Sequence, residues 1–152
     1  MSLEKVLVAV ETDENDDIDD LAETVVDIAG PAGATVVLAD VFSTEAYENA
    51  RDRLKFDPNA EVTPSVVAER KVRSRAVAEM LADAGIEYTV EGRLKNGGSE
   101  GDRLADLAEE IDADLVIIGG RGRTPAGKAV FGSTVQRVLL SAPCPVTFVR
   151  SE

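Results

Sequence analysis

The sequence of 152 residues contains no histidine, no tryptophan and a single cysteine, Cys144. Without histidine, the chain lacks the commonest general base, the usual zinc ligand and the partner of every Ser-His or Cys-His nucleophile. A single cysteine excludes an internal disulfide and a cysteine-rich metal site, so we expect a cytoplasmic protein in a reducing compartment. Cys144 stands between two prolines near an apolar run, and we interpret it as a small packed side chain rather than a redox group.

Basic residues are also scarce. Acidic residues outnumber basic ones by 29 to 16, which gives a formal net charge of -13. This charge repels nucleic-acid phosphates and anionic membranes, so neither is an expected partner. The basic residues are 5 Lys and 11 Arg. A lysine-poor, acidic surface is typical of proteins kept soluble at high salt, where screening weakens self-repulsion. A halophilic source and an ordinary acidic cytosolic protein both fit this composition.

Long hydrophobic runs are absent as well. The longest one near the start covers residues 6–10, which is too short for a membrane span or a secretory signal. Hydrophobic residues still make up 44% of the chain. A chain of this length buries roughly two-thirds of its unfolded surface on folding, so we expect a single domain over residues 1–152 with a core that needs no disulfide or metal.

Short apolar runs alternate with amphipathic stretches along the chain. The apolar runs predict strands at residues 5–10, 34–41, 86–91, 114–118 and 146–149. Helical spacing of apolar residues predicts four helices, at residues 16–28, 65–84, 102–111 and 135–140. Glycine and proline at positions 30, 31 and 33 are expected to end the first helix. The long stretch 42–63 and the glycine-rich loop 96–101 are interpreted as irregular.

This alternation predicts an α/β fold of the Rossmann-like type. Strands that are apolar on both faces, with helices between them, form a parallel sheet covered on both sides. We therefore expect an open, doubly wound, parallel five-stranded sheet with four helices and with the last strand near an edge. Such sheets bind ligands at the carboxyl ends of the strands, where the strand order reverses.

A glycine-rich stretch follows the fourth strand, from Gly119 to Gly132. Three of the few basic residues of the chain, Arg121, Arg123 and Lys128, lie within it. Because glycine has no Cβ, such a stretch allows the backbone to approach a ligand closely. A turn-rich connection without a ligand is the alternative interpretation, and the complete set of glycines and cations between a strand and a helix favours a phosphate site.

Gly132, Ser133 and Thr134 stand where the last helix is predicted to begin. Free backbone N–H groups, the helix dipole and two hydroxyl groups would meet there, which suits a phosphate. An ordinary Ser/Thr helix cap is the alternative.

Two familiar glycine motifs fit this stretch poorly. The dinucleotide fingerprint G-x-G-x-x-G fails, because Gly120 and Gly122 are followed by Pro125 where the third glycine is required. The P-loop pattern G-x-x-x-x-G-K-[ST] matches up to Lys128, but Ala129 replaces the hydroxyl residue that binds magnesium.

A third pattern, G-x2-G-x9-G-[ST], is matched without a gap by Gly119, Gly122, Gly132 and Ser133. With this motif the chain resembles the nucleotide-binding branch of the universal stress protein (UspA) family. The resemblance covers nearly the whole chain and includes the segments DADLVIIG at residues 112–119 and SAPCPVTFV at residues 141–149.

The resemblance implies a site for ATP with a divalent cation, Mg²⁺ or Mn²⁺. The residues expected at the nucleotide are Val10, Glu11, Val41, Ile118, Gly119, Gly122, Arg123, Gly132, Ser133 and Thr134. Val41 would line the adenine pocket, Gly119 would lie near the ribose, and the motif residues from Gly122 onward would hold the phosphates. Glu11 replaces the usual aspartate, and its additional methylene changes the geometry of any contact to adenine or ribose.

The resemblance further implies a homodimer formed through the last strand, from Val146 to Val149. We therefore expect an ATP-binding stress-response or signalling protein. ATP hydrolysis should be slow at most, because no histidine is present and no lysine or carboxylate stands obviously beside the phosphate loop to orient water. A nucleotide-free dimerisation module of the same fold is the alternative. A nucleotidyl-transfer enzyme is disfavoured, because the chain has neither a histidine-rich signature nor a Ser-Gly-Gly loop after the first strand.

Overall fold

The computed structural model of the chain describes residues 3–10, 18–56, 62–120 and 132–150. Within these residues, five strands form one sheet in the order β3-β2-β1-β4-β5. The strands are β1 Lys5–Ala9, β2 Thr35–Phe42, β3 Tyr88–Leu94, β4 Leu115–Gly120 and β5 Val146–Arg150. The helices are α1 Ile18–Ala32, α2 Thr44–Arg53, α3 Pro64–Arg70, α4 Val72–Asp83, α5 Glu100–Glu110 and α6 Ser133–Ser141.

Every pair of neighbouring strands is parallel. The predicted α/β class, the five-stranded parallel sheet and the edge position of the last strand are therefore confirmed. The predicted number of four helices is wrong, since the described residues form six.

The two faces of the sheet are buried by different helices. Val6 and Val8 of β1 pack in one core cluster with α1 and α4, whereas Leu7 and Ala9 pack in a second cluster with α5 and α6. Alternate residues of a strand point to opposite faces of its sheet, so β1 must be apolar throughout. This double burial explains why the strand runs lack the polar alternation of a half-exposed sheet.

Helix α1 continues further than predicted. It runs through Gly30 and Pro31 and ends at Ala32, where Gly33 adopts a positive φ of 67°. The N–H of Ala34 then donates to the carbonyl of Ala29 at 3.1 Å, so the helix ends in a Schellman motif. A proline in the last turn removes only one intrahelical hydrogen bond, and this loss does not stop the helix earlier.

The stretch 42–63, predicted to be irregular, contains helix α2. Ser43 is its N-cap and accepts a hydrogen bond from the backbone N–H of Ala46 at 3.1 Å. Tyr47 and Ala50 are buried against Phe42, which gives α2 a small core cluster of its own. Its apolar side chains are too few to produce a clear helical period in the sequence. The loop predicted at 96–101 is shorter than expected, because Ser99 is the N-cap of α5 and the helix already begins at Glu100.

The helix predicted over residues 65–84 is broken at Lys71. The backbone of Lys71 is extended, with φ −73° and ψ 145°, so that α3 ends before it and α4 begins after it. Gly92 of β3 fixes the position of α3, because a Cβ at this residue would overlap the carbonyl oxygen of Pro64. The break places the side chain of Lys71 at the carboxyl end of β2.

Candidate functional site

The strand order reverses between β1 and β4, so the carboxyl ends of these two strands mark the point where a doubly wound fold usually binds a ligand. Ala9 of β1 is opposite Ile118 of β4, and the buried Val10 continues β1 by donating its N–H to the carbonyl of Ala39 at 3.1 Å. Gly119 follows Ile118 near the end of β4 and is buried.

Helix α6 begins at Gly132, as the sequence predicts. Gly132 is the N-cap, with φ −62° and ψ 162°, and no side chain of the described residues caps this end of the helix. Its carbonyl accepts from the N–H of Gln136 at 3.0 Å. Gly132 and Ser133 are exposed and Thr134 is half-buried. The first N–H groups of a helix have no partner within it, so this end of α6 can donate to an anion.

The backbone at position 132 does not itself require glycine. Its φ is negative, and a Cβ built there has no atom within 4 Å among the residues that the structure describes. Because Gly132 has no side chain, a ligand has space to approach the first backbone N–H groups of α6.

Three of the residues expected at the nucleotide, Glu11, Gly122 and Arg123, lie outside the described residues, as do Arg121 and Lys128. The other seven are described, and four of them lie at the carboxyl edge of the sheet: Val10, Val41, Ile118 and Gly119. The remaining three open helix α6: Gly132, Ser133 and Thr134.

A cavity of about 1030 Å³ opens at the carboxyl end of β2. Val41 and Phe42 of the strand, the inner face of α2 and the junction between α3 and α4 line it. Val41, which the family resemblance places at the adenine pocket, lies in the wall of this cavity, whose volume is large enough for a ligand.

The cavity also contains an ion pair that the sequence analysis did not find. Asp40 is 2% exposed, and its Oδ2 lies 3.4 Å from the Nζ of Lys71, whose side chain is 20% exposed. The same ammonium group lies 4.9 Å from the centroid of the Phe42 ring. Arg73 follows two residues later and donates from Nε to the carbonyl of Val10 at 3.3 Å. These contacts connect the start of α4 to the ends of β1 and β2.

Cys144 is half-buried and packs against the core cluster on the α5–α6 side of the sheet. Its interpretation as a packed small side chain is confirmed. Burial raises the pKa of the Cys144 thiol, and the negative charge of Asp114 raises it further.

A raised pKa leaves less thiolate at a given pH than an ordinary cysteine has, and the thiolate is the reactive form. We therefore expect Cys144 to react with iodoacetamide more slowly than free cysteine at pH 8, with a rate that still rises at higher pH. Rates measured by mass spectrometry would test this. A rate equal to that of free cysteine would contradict the raised pKa of Cys144.

Among the described residues, no group of three or more acidic or cysteine side chains is placed to hold a metal ion. None of the described helices is both long enough and apolar enough to span a membrane.

The parallel sheet with the order 3-2-1-4-5 and helices on both faces defines a doubly wound α/β protein. The chain belongs to the universal stress protein family, whose model matches residues 2–150. It is 33% identical over 121 residues to a universal stress protein of Mycolicibacterium smegmatis, covering 74% of this chain and 92% of that relative.

Solved structures of the family share the fold. A universal stress protein from Archaeoglobus fulgidus in complex with dAMP aligns with a TM-score of 0.67 at 19% identity, over 99% of this chain and 100% of that one. A universal stress protein in complex with cAMP aligns with a TM-score of 0.66 at 19% identity, over the full length of both chains.

Proposed function

We propose that this chain binds ATP, together with Mg²⁺ or Mn²⁺, and that it acts as a stress-response or signalling protein through nucleotide occupancy. The observation that carries this proposal is the uncapped start of α6 at Gly132 and Ser133, the residues that complete the glycine motif. The dAMP and cAMP complexes of family members support an adenine nucleotide as the ligand class.

In this proposal the phosphates bind at the start of α6. The free N–H groups of the first helical turn donate to phosphate oxygens, and the helix dipole favours their negative charge. Such local donors are necessary, because the net charge of -13 otherwise repels an anion. The hydroxyl group of Ser133 adds one donor. We expect Ser133→Ala to weaken ATP binding less than a change that blocks the backbone.

The base and ribose occupy the remaining part of the strand-end crevice. Val41 lines the cavity at the end of β2 and packs against the adenine ring, while Gly119 allows the ribose to approach the end of β4. Val10 and Ile118 form the apolar floor between them. Glu11, directly after Val10, accepts a hydrogen bond from the ribose or from the adenine amino group. Hydrolysis is slow at most, and the reducing cytoplasm is the compartment that fits a single packed cysteine.

The nucleotide that the purified protein carries tests this function. The purified chain would be denatured, and the released small molecules would be separated by chromatography and identified by mass spectrometry. We expect an adenine nucleotide in amounts comparable with the protein. Protein that carries no nucleotide and takes up none under saturating ATP would instead support the alternative, a nucleotide-free interaction module.

We further propose that the chain forms a homodimer through β5. This strand lies at one edge of the sheet, and its residues Val146–Arg150 end the described chain. An apolar edge strand readily pairs with a second copy of itself. Large apolar side chains are also exposed on the preceding helix, where Leu140 is 82% exposed and Leu139 is partly exposed. Together they form the surface that we assign to the dimer.

Replacing Leu140 with glutamate should weaken the dimer. Burial of a leucine contributes about 1.5–3 kcal/mol, and about 1.4 kcal/mol corresponds to a tenfold change in affinity, so we expect at least tenfold weaker association by light scattering or sedimentation. Tyr88→Glu is the matched control, because Tyr88 is an exposed apolar residue on β3 at the opposite edge. A wild-type chain that stays monomeric at micromolar concentration would refute the dimer.

A further inference from the structure

The cavity at the end of β2 is larger than one purine base requires. Its volume of about 1030 Å³ is at the upper end of the roughly 300–1,000 Å³ typical of whole ligand sites. The proposed nucleotide needs only the Val41 side of the cavity for its base. In that proposal, the space that extends toward α2 and the α3–α4 junction remains for a second ligand.

The walls of this cavity concentrate positive charge. Among the described residues that line it, four are basic and two are acidic, whereas the whole chain has 16 basic and 29 acidic residues. One quarter of all the basic residues of the chain therefore face one cavity. The basic residues are Arg53, Arg70, Lys71 and Arg73. A concave surface with an excess of one sign of charge attracts ligands of the opposite sign.

Two of these cations make polar contacts with the ends of β1 and β2. Lys71 pairs with Asp40 at 3.4 Å, and Arg73 donates to the carbonyl of Val10 at 3.3 Å. Arg53 and Arg70 are exposed and lie in the last turns of α2 and α3. The guanidinium group of Arg70 also lies over the ring of Phe56, 5.0 Å from its centroid. Basic residues at the end of a helix stabilise its dipole. Interaction with the helix dipole explains why each arginine lies in the last turn of its helix. It does not explain why both arginines line the same cavity.

The lining also includes apolar residues. Val41 and Phe42 of β2 and Ala46 and Ala50 of α2 contribute hydrophobic surface. A cavity that combines apolar surface with basic side chains is complementary to a ligand that has an apolar body and an anionic group. Guanidinium groups bind phosphate and carboxylate through paired hydrogen bonds.

We propose that this cavity is a binding site for a small anion with an apolar body, a phosphate ester or a carboxylate, with Arg53 and Arg70 as its anion-binding residues. The apolar body lies against Phe42 and Ala50, beyond the Val41 side that the adenine ring would occupy. The site is separate from the phosphate site at the start of α6 and does not depend on the proposed ATP function.

Two simple probes test this site by calorimetric titration at low ionic strength: phenyl phosphate for the phosphate ester and phenylacetate for the carboxylate. The test variant is Arg53→Gln with Arg70→Gln. Its matched control is Arg51→Gln with Arg75→Gln, which removes the same charge from α2 and α4 at residues that do not line the cavity. Because the two arginines of the test variant are exposed, we expect it to fold, and its melting curve would confirm this.

We expect at least one probe to bind the wild-type protein, with binding about tenfold weaker in the test variant and changed less than about twofold in the control. The probe that binds more tightly identifies the anionic group. Gly132→Val should bind the probes as the wild-type protein does. No binding to the wild-type protein, equal losses in both double variants, or a loss in Gly132→Val alone would overturn the inference. None of these results depends on ATP binding, so a failure of this site and a failure of the proposed function are distinguishable.

Discussion

Replacing Gly132 with valine is expected to weaken ATP binding about a hundredfold or more, the largest effect on function that the structure indicates. The branched side chain occupies the space through which a phosphate reaches the first N–H groups of α6. Loss of one hydrogen bond to a charged group costs about 1.5–3 kcal/mol, which is roughly tenfold to a hundredfold in affinity, and the steric block adds to this loss. Calorimetric titration with ATP measures the effect.

This substitution should not disturb the fold, so its effect can be assigned to the site. The φ of Gly132 is −62°, and a Cβ there has no close neighbour among the described residues. Gly98→Val is the matched control, since Gly98 is likewise exposed, precedes a helix and lacks a positive φ. Unchanged ATP affinity in a folded Gly132→Val variant would show that the start of α6 is not the phosphate site.

The largest effect on stability is expected for Lys71→Met. The substitution leaves the carboxylate of Asp40, 2% exposed, without the ammonium group that lies 3.4 Å away. Removal of one partner of a buried ion pair costs about 3–5 kcal/mol. Because Lys71 is 20% exposed, we expect a decrease of roughly 3 kcal/mol in the free energy of unfolding. Urea denaturation followed by circular dichroism measures this difference.

Two further variants distinguish the loss of the ion pair from the general effect on stability of replacing a lysine with methionine. Asp40→Asn combined with Lys71→Met removes both charges and should recover part of the lost stability, because the buried carboxylate is then neutralised together with the loss of the ammonium group that faces it. Lys95→Met is the control for replacing a partly buried lysine outside the cavity. A Lys71→Met variant within about 1 kcal/mol of the wild-type protein would show that the pair contributes little.

The sheet could be predicted from the sequence because its strands are buried on both faces. β1 and β4 consist almost entirely of apolar residues, so their pattern needs no tertiary information. The start of α6 could be predicted for a related reason, since the glycine motif and the apolar spacing after it indicate the same residue, Gly132. Local preference and tertiary packing agree at these positions.

The break at Lys71 could not be predicted, because nothing in the local sequence opposes a continuous helix there. The residues on both sides have helical spacing, and lysine is a good helix former. The extended backbone of Lys71 accompanies its contact with Asp40, a residue 31 positions earlier in the chain. Only the folded sheet brings the two together. The basic cavity escaped the sequence analysis for the same reason, because Arg53 and Arg70 belong to helices that meet only in the tertiary structure.

Equilibrium titration of the nucleotide-free wild-type chain with ATP in the presence of Mg²⁺ tests the central claim most directly. The protein would be unfolded, freed of any bound nucleotide by dialysis, refolded and checked by circular dichroism before calorimetry. The account predicts saturable binding of one ATP per chain. A refolded chain that shows no binding at saturating ATP would contradict it.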